Sequence, residues 1–447
     1  MAEHVDVLVI GAGTAGNAVS RAVAAEGLSV LVAEPGKVGG TCLWNGCMPK
    51  KALFNSAQVY RNVLRAEQFG VLAGDVELDW PSVLAWKWHA QETYAGDQEG
   101  IMAARGIRHI AESARFVSPT DVAVGQNVFT PGAVVVATGS EAVLPPIPGV
   151  ELADISDDAL RYAEPPRSLV IIGAGYIAME FAGIYASFGT KVTVLVRDEI
   201  LAPFDRDTVA LAVAALEQLG VMFVHNASVS SIAGMKGDLT VSYQIGAEQR
   251  HLSAEHVLMA TGRRPAIADL GLEVAGVELG EHGRPVLDGA LRSTNPRVWF
   301  AGDATGLMML TPIASVHGGA VARSIITGSP QTVDTSAIPT ACFTVPELAQ
   351  VGLSEAQAAE RGIACRVVRG TPEYVGAAII SDRRAGLVKV VLAEDGTVLG
   401  AHLVAHGAAD LIYTYALAVR AGLTIEQIAA TRAIHPAFTE VINWTTS

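Results

Sequence analysis

A glycine cluster, GAGTAG at 11–16, stands between the apolar run VDVLVI at 5–10 and an alanine-rich stretch that reaches Glu26. A run of β-branched and aliphatic residues that stops at glycines reads as a buried strand, and the alanine-rich stretch reads as a helix. A second strand, LSVLVAE, follows and ends on Glu34. Strand, glycine turn, helix and strand with a closing acid is the arrangement that cradles a dinucleotide. Gly11 allows the tight turn, Gly13 lets the backbone approach a pyrophosphate, Gly16 lets helix and strand pack, and Glu34 can accept bonds from ribose hydroxyls. The phosphates would rest on the helix N-terminus.

The pattern returns at 169–197, as LVIIGAGYIAMEFAGIYASFGTKVTVLVR. Gly173 and Gly175 hold the turn, Tyr176 and Ile177 open the helix, and Ala178 stands for the third glycine, where a methyl group still permits close packing. Two dinucleotides are therefore expected. This second unit closes on Arg197 instead of an acid. A guanidinium there can bond a 2′-phosphate that a carboxylate would repel, which points to NADP(H), with NAD(H) the alternative.

With 447 residues, half of them hydrophobic and 17% charged, the chain can build several cores, and its length predicts three or four domains. A net charge of −14 with no basic run would repel nucleic acid, which is excluded as a partner. The first apolar run has Glu3 and Asp6 instead of a basic leader and is soon broken by glycines, so it does not read as a signal peptide. No window has the ~18 continuous apolar residues of a membrane span. A soluble cytoplasmic protein is the expectation.

Four cysteines, at 42, 47, 342 and 365, are too few for a disulfide-stapled scaffold. Cys42 and Cys47 lie in GGTCLWNGCMPKK, at 39–51. On a helix their spacing sets the sulfurs little more than one turn apart, where a disulfide is sterically possible and a thiolate near the helix N-terminus gains from the dipole. Zinc is the competing reading, but the repeated cysteine motif of a structural site is missing, and no metal is expected. Cys342 and Cys365 read as small buried residues.

These landmarks, with VVVATGS at 134–140, MATGRRP at 259–265, FAGDATG at 300–306 and HPAFTE at 435–440, run in the order of one family. Over essentially its whole length the chain resembles the class I pyridine nucleotide–disulfide oxidoreductases, which include glutathione reductase, dihydrolipoyl dehydrogenase and mercuric reductase. The resemblance implies an α/β fold: two Rossmann-like domains for FAD and NAD(P), with a C-terminal α+β dimerisation domain. The expected limits are FAD domain 1–150, nucleotide domain 151–266, central domain 267–335 and interface domain 336–447.

It also implies roles. Cys42 would be the interchange thiol and Cys47 the thiol facing the flavin, forming a charge-transfer complex with it. Lys51 would contact the flavin and pair with Glu180, Asp303 would bond the ribityl chain, and Thr311 would begin the helix aimed at the flavin pyrimidine. Thr41, Thr138 and Gly139 join the FAD site, Gly262 joins the cofactor-binding residues, and Tyr176 would gate the nicotinamide pocket. His435 and Glu440 match the family's acid–base pair, in which imidazole protonates the leaving thiolate and the carboxylate orients it. Because that histidine reaches the site from a second subunit, a homodimer is expected.

The implied reaction carries electrons from NADPH through FAD and the Cys42–Cys47 disulfide to a small disulfide substrate. Glutathione reductase is the nearest named resemblance, through PKK at 49–51, Arg197 and Arg21, which matches a substrate-contacting arginine. Three positions depart from it: Pro203 replaces a second phosphate-binding arginine, Trp44 replaces the usual asparagine, and Gln98 stands where a tyrosine lines the substrate site. Trp44 could pack against a bulkier, less charged ligand or could fill the domain interface. Dihydrolipoyl dehydrogenase is the alternative, although it usually has an acid where Arg197 stands. Mercuric reductase uses a further C-terminal cysteine pair, and this sequence ends NWTTS. A flavin-dependent quinone or metal-ion reductase is the alternative of another class.

Overall fold

A computed structural model describes residues 2–444. The closing TTS at 445–447, part of the tail used against mercuric reductase, lies outside the described residues. The chain divides into two compact units. The first comprises Met1–Ala52, Ser82–Val143 and Gly262–Thr335, and the second Leu53–Pro81, Leu144–Thr261 and Ser336–Ser447.

In the first unit, β1 (Glu3–Ile10), β2 (Val30–Ala33) and β3 (Ile107–Ile110) are parallel, and β1 also pairs in parallel with the long strand Asn127–Val136. Val298–Phe300 extends this sheet on the far side of Asn127–Val136. The continuous apolar run of β1 has a direct cause. Leu8 and Ile10 enter one core while Val7 and Val9 enter the other, so both faces of the strand are covered. The helix α1 (Thr14–Ala25) buries Ala15, Val19 and Val23 along one stripe.

The cysteines do not share one helix, as their spacing had suggested. Cys42 lies in α2 (Gly40–Trp44) and Cys47 opens α3 (Cys47–Leu64). Asn45, at φ −136°, leaves helical geometry and ends α2. Across the break Gly46 lies against the Thr41 carbonyl, where an added Cβ would come within 3.0 Å of the oxygen. Helix α4 (Trp80–Ala95) contributes all but its first two residues to this unit.

The second unit contains a four-stranded parallel sheet in the order Met222–Val224, Lys191–Leu195, Ser168–Ile172, His256–Met259. The helix Tyr176–Ser187 follows its glycine turn. Residues 340–405 form a five-stranded antiparallel sheet covered by the helix Ala408–Ala421, with a core of Val390, Leu403, Ile412 and Tyr415. This is the α+β portion expected at the C-terminal end. No helix among the described residues is long and apolar enough to cross a membrane.

Candidate active site

The two glycine turns are built alike. An added Cβ on Gly11, at φ +105°, would lie 2.4 Å from the Ala137 carbonyl oxygen, and one on Gly173, at φ +129°, would lie 2.2 Å from that of Ala260. Each turn is thus closed against the alanine of an Ala-Thr-Gly segment, and no side chain fits there. An added Cβ on Gly16 would lie 2.0 Å from the Gly11 carbonyl, so helix and strand touch backbone to backbone. Gly13 and Gly175 instead cap the two helices and face open space or another glycine backbone, as a phosphate-accepting N-terminus requires. Ala178 is fully buried in the place of the third glycine.

Glu34 accepts from the Ala12 N–H (3.0 Å) and the Gly36 N–H (2.8 Å). A carboxylate has about four acceptor positions, so lone pairs remain for a ribose. Asn17 Oδ1, Thr138 Oγ1 and His317 Nδ1 are buried without a protein partner. Buried polar atoms are ordinarily satisfied, so a polar ligand suits this cradle, and the donor set fits FAD. Asp303 accepts from Ser140 Oγ (2.6 Å), and the Arg263 guanidinium bonds Ser140 through Nε (2.8 Å). Gly139 (φ +76°) and Gly262 (φ +118°) flank this contact with left-handed turns. Burial holds the His317 imidazole below its usual pKa, partly offset by its bond to the Gly302 backbone.

Cys42 is half-buried, Cys47 is exposed, and neither is joined in a disulfide. They are hydrogen-bonded to each other, and that bond, with burial adding to it, pushes the Cys42 thiol up. Thr311 and the charge of Lys50 act in the opposite direction. Cys47 Sγ lies 3.2 Å from Thr311 Oγ1, at the first residue of the helix Thr311–Thr327. Thr41 is exposed in α2, and its carbonyl accepts the Asn45 N–H at 2.9 Å. Of the adjacent lysines, Lys50 is buried and Lys51 half-buried. Sequence reasoning passed over Lys50 in favour of its neighbour. Its signal, a second lysine at the cysteine helix, was present in PKK.

In the second unit Tyr176 and Ile177 are half-buried at the helix start, and Glu180 is 5% exposed. Glu180 Oε1 accepts the Phe343 N–H at 2.9 Å. Arg197 lies two residues beyond its strand, exposed, with Nε 2.8 Å from Asp198 Oδ2. His435 Nδ1 lies 2.8 Å from Glu440 Oε1, and the histidine side chain is 76% exposed. The bond from His435, with one from the Ala437 N–H, holds the Glu440 carboxyl below the usual carboxylate range.

Two further residues take unexpected partners. Arg21 donates to Gln98 Oε1 at 2.7 Å, and its Nε is buried without a partner. Trp44 donates from Nε1 to the Val38 carbonyl at 2.9 Å. No cluster able to hold a metal ion occurs among the described residues.

Residues 5–318 match the family described as pyridine nucleotide-disulphide oxidoreductase, and residues 338–446 match the dimerisation domain of that family. The chain is 34% identical over 445 residues to a dihydrolipoyl dehydrogenase of Geobacillus stearothermophilus, covering 98% of this chain and 94% of that protein. It is 34% identical over 450 residues to a mercuric reductase of Streptomyces lividans, covering 97% and 93%. The solved HOCl-induced flavoprotein disulfide reductase RclA from Escherichia coli superposes with a TM-score of 0.88 at 28% identity, over 99% of both chains. Two glycine cradles, a paired dithiol and these matches over nearly the whole length lead to one conclusion: the chain belongs to the pyridine nucleotide-disulphide oxidoreductases, flavin-dependent enzymes that exchange electrons between a nicotinamide and a disulfide.

Proposed function

We propose that this enzyme reduces a small disulfide of the glutathione-disulfide type with NADPH, through Cys42 and Cys47 and as a homodimer. The observation that carries the proposal is the pair of reduced thiols bonded to each other, with Cys47 Sγ 3.2 Å from Thr311 Oγ1. When bound along the cradle of Gly11, Gly13, Glu34, Thr138 and Asp303, FAD supplies two-electron transfer between the nicotinamide and the cysteine pair. The organisation assigned to this task is an FAD domain at 1–150, a nucleotide domain at 151–266, a central domain at 267–335 and an interface domain at 336–447.

Cys42 passes its proton to His435 of the partner subunit and attacks one sulfur of the substrate, breaking the substrate S–S bond and forming a mixed disulfide. The expelled thiolate then takes that proton back from His435 of the partner subunit. Cys47 thiolate then attacks Cys42 sulfur, releasing the second substrate thiolate and closing the Cys42–Cys47 disulfide. Atoms balance as one disulfide opened and one closed, and two electrons reopen the pair. In the free chain His435 Nδ1–H donates to the ionised Glu440, so Nε2 is the nitrogen left to face the sulfur. NADPH is favoured because the Arg197 guanidinium, which bonds Asp198 through Nε, keeps further N–H donors for a 2′-phosphate.

Anaerobic titration with NADPH, joined to a panel of glutathione disulfide, lipoamide and a quinone, tests this reading. The expected result is an uptake of two electrons beyond those held by FAD, preferential turnover of glutathione disulfide, and loss of that turnover in Cys42→Ser. Uptake by flavin alone with quinone turnover, or full disulfide turnover in Cys42→Ser, would overturn it. Preferential lipoamide turnover with NAD would redirect the substrate to that of dihydrolipoyl dehydrogenase.

A further inference from the structure

Four residues, Leu43 to Gly46, separate the two cysteines. Helix α2 is only five residues long, so its last carbonyls lack partners within the helix. Thr41 accepts the Asn45 N–H at 2.9 Å, but Leu43 and Trp44 are answered from outside. The Nε2 of Gln91, on α4, donates to the Leu43 carbonyl at 2.9 Å and to the Trp44 carbonyl at 3.1 Å. Only one orientation of this amide works, since turning it would place its oxygen against two carbonyl oxygens. Gln91 is fully buried, and its Oε1 has no partner. Leaving that oxygen unsatisfied is unfavourable, so what the protein gains from Gln91 lies in its two N–H groups.

The opposite side of the same segment is held by Trp44. Its Nε1–H donates to Val38, and the Lys37 ammonium rests 4.5 Å from the ring centroid. Gly39 lies beneath the indole at φ +119°, where an added Cβ would come within 3.2 Å of Nε1. The residue that sets this chain apart from its best-known relatives is therefore bonded through its main chain on one side and its side chain on the other.

We propose that Gln91 and Trp44 are positioning residues that clamp the intercysteine segment in the shape in which the two sulfurs meet, so that the pair closes to a disulfide without reorganising the backbone. Neither residue is given a contact with the reacting atoms. The clamp rests on the disulfide-reductase reading and deepens it. Holding one sulfur against the other raises its effective concentration, which favours the disulfide over the dithiol and speeds the attack of Cys47 on the mixed disulfide. The first attack, by Cys42 on substrate, needs no loop closure and is left largely unchanged.

The test uses the full-length FAD-loaded protein equilibrated with glutathione buffers, in which enzyme dithiol plus glutathione disulfide gives enzyme disulfide plus two glutathione thiols. Alkylation and mass measurement count the free thiols. Gln91→Met removes both donors at similar volume, and Trp44→Phe keeps an aromatic ring while removing one donor. Each is expected to need a ratio of disulfide to squared thiol about tenfold higher for half-oxidation, a difference in the range of one or two hydrogen bonds. Each is also expected to accumulate the Cys42–glutathione mixed disulfide during turnover. Should Gln91→Met not fold, Trp44→Phe carries the test alone. Unchanged half-oxidation and no accumulation, in variants that keep FAD content and melting temperature, would overturn the clamp. If the unvaried protein forms no disulfide at any ratio, the disulfide reading itself falls, and the clamp with it.

Discussion

His435 donates from Nδ1 to Glu440 Oε1 at 2.8 Å, which fixes the tautomer of a side chain that is 76% exposed on its own chain. Glu440 is held below the usual carboxylate range chiefly by this bond, so it stays ionised below its ordinary value of about 4.3. His435→Gln should lower disulfide turnover about 100-fold or more, the scale of a lost acid–base group. Glu440→Gln should give a smaller loss in kcat with little change in KM. Steady-state kinetics on both variants, with NADPH reduction of the flavin measured separately and expected to be unchanged, checks the assignment.

Lys50 and Lys51 can be separated by their effect on Cys42. The bond to Cys47, followed by burial, raises the Cys42 thiol, and the Lys50 charge opposes that rise. Removing the charge in Lys50→Met should raise it further, so the acidic limb of the pH–rate profile should move to higher pH. Lys51→Met should leave that limb in place. A profile shifted by Lys51→Met and not by Lys50→Met would reverse the assignment.

Arg197 already bonds an acid, Asp198, at 2.8 Å. Replacing it in Arg197→Glu sets two carboxylates where a 2′-phosphate would lie, while a ribose hydroxyl still finds acceptors. The ratio of kcat/KM for NADPH to that for NADH should fall by about tenfold or more, on the scale of one lost charged hydrogen bond. Parallel assays with both nucleotides decide the point.

Lys389 is 5% exposed and lies 2.9 Å from Asp205, 2.9 Å from Asp207 and 3.1 Å from Glu355. Burial alone would lower this ammonium, but its bonds to the three carboxylates outweigh burial and raise it. A raised group stabilises the fold fully below its unfolded value of about 10.4, and the contribution is lost as pH climbs through the folded value. Lys389→Met leaves Asp205 buried without its cation and should cost about 3–5 kcal/mol. Denaturant titrations should show that loss at pH 7, and the alkaline fall in stability expected of the unvaried protein should be smaller in the variant.

The parts of this molecule that depend on local backbone geometry were legible in the sequence. Gly11 and Gly173 announced their turns because no other residue fits against Ala137 and Ala260. The helix from Thr311 began where it was expected. The break between the cysteine helices was less legible, since five-residue spacing alone does not reveal that Asn45 leaves helical geometry. Gln91 was invisible for a different reason. Its partners, Leu43 and Trp44, are main-chain carbonyls nearly fifty positions away, and carbonyls leave no mark on a sequence. The bond from Arg21 to Gln98 was hidden in the same way, because the two lie far apart in sequence.

The twin closure of Gly11 on Ala137 and Gly173 on Ala260 means that one kind of lesion can be inflicted at either end of the electron path. Gly11→Ala forces apart the cradle assigned to the tightly held carrier, and the purified protein should come out colourless. Gly173→Ala forces apart the cradle assigned to the carrier that comes and goes, and the protein should stay yellow but fail to bleach when reduced nicotinamide is added. Two identical methyl groups would thus be told apart by eye.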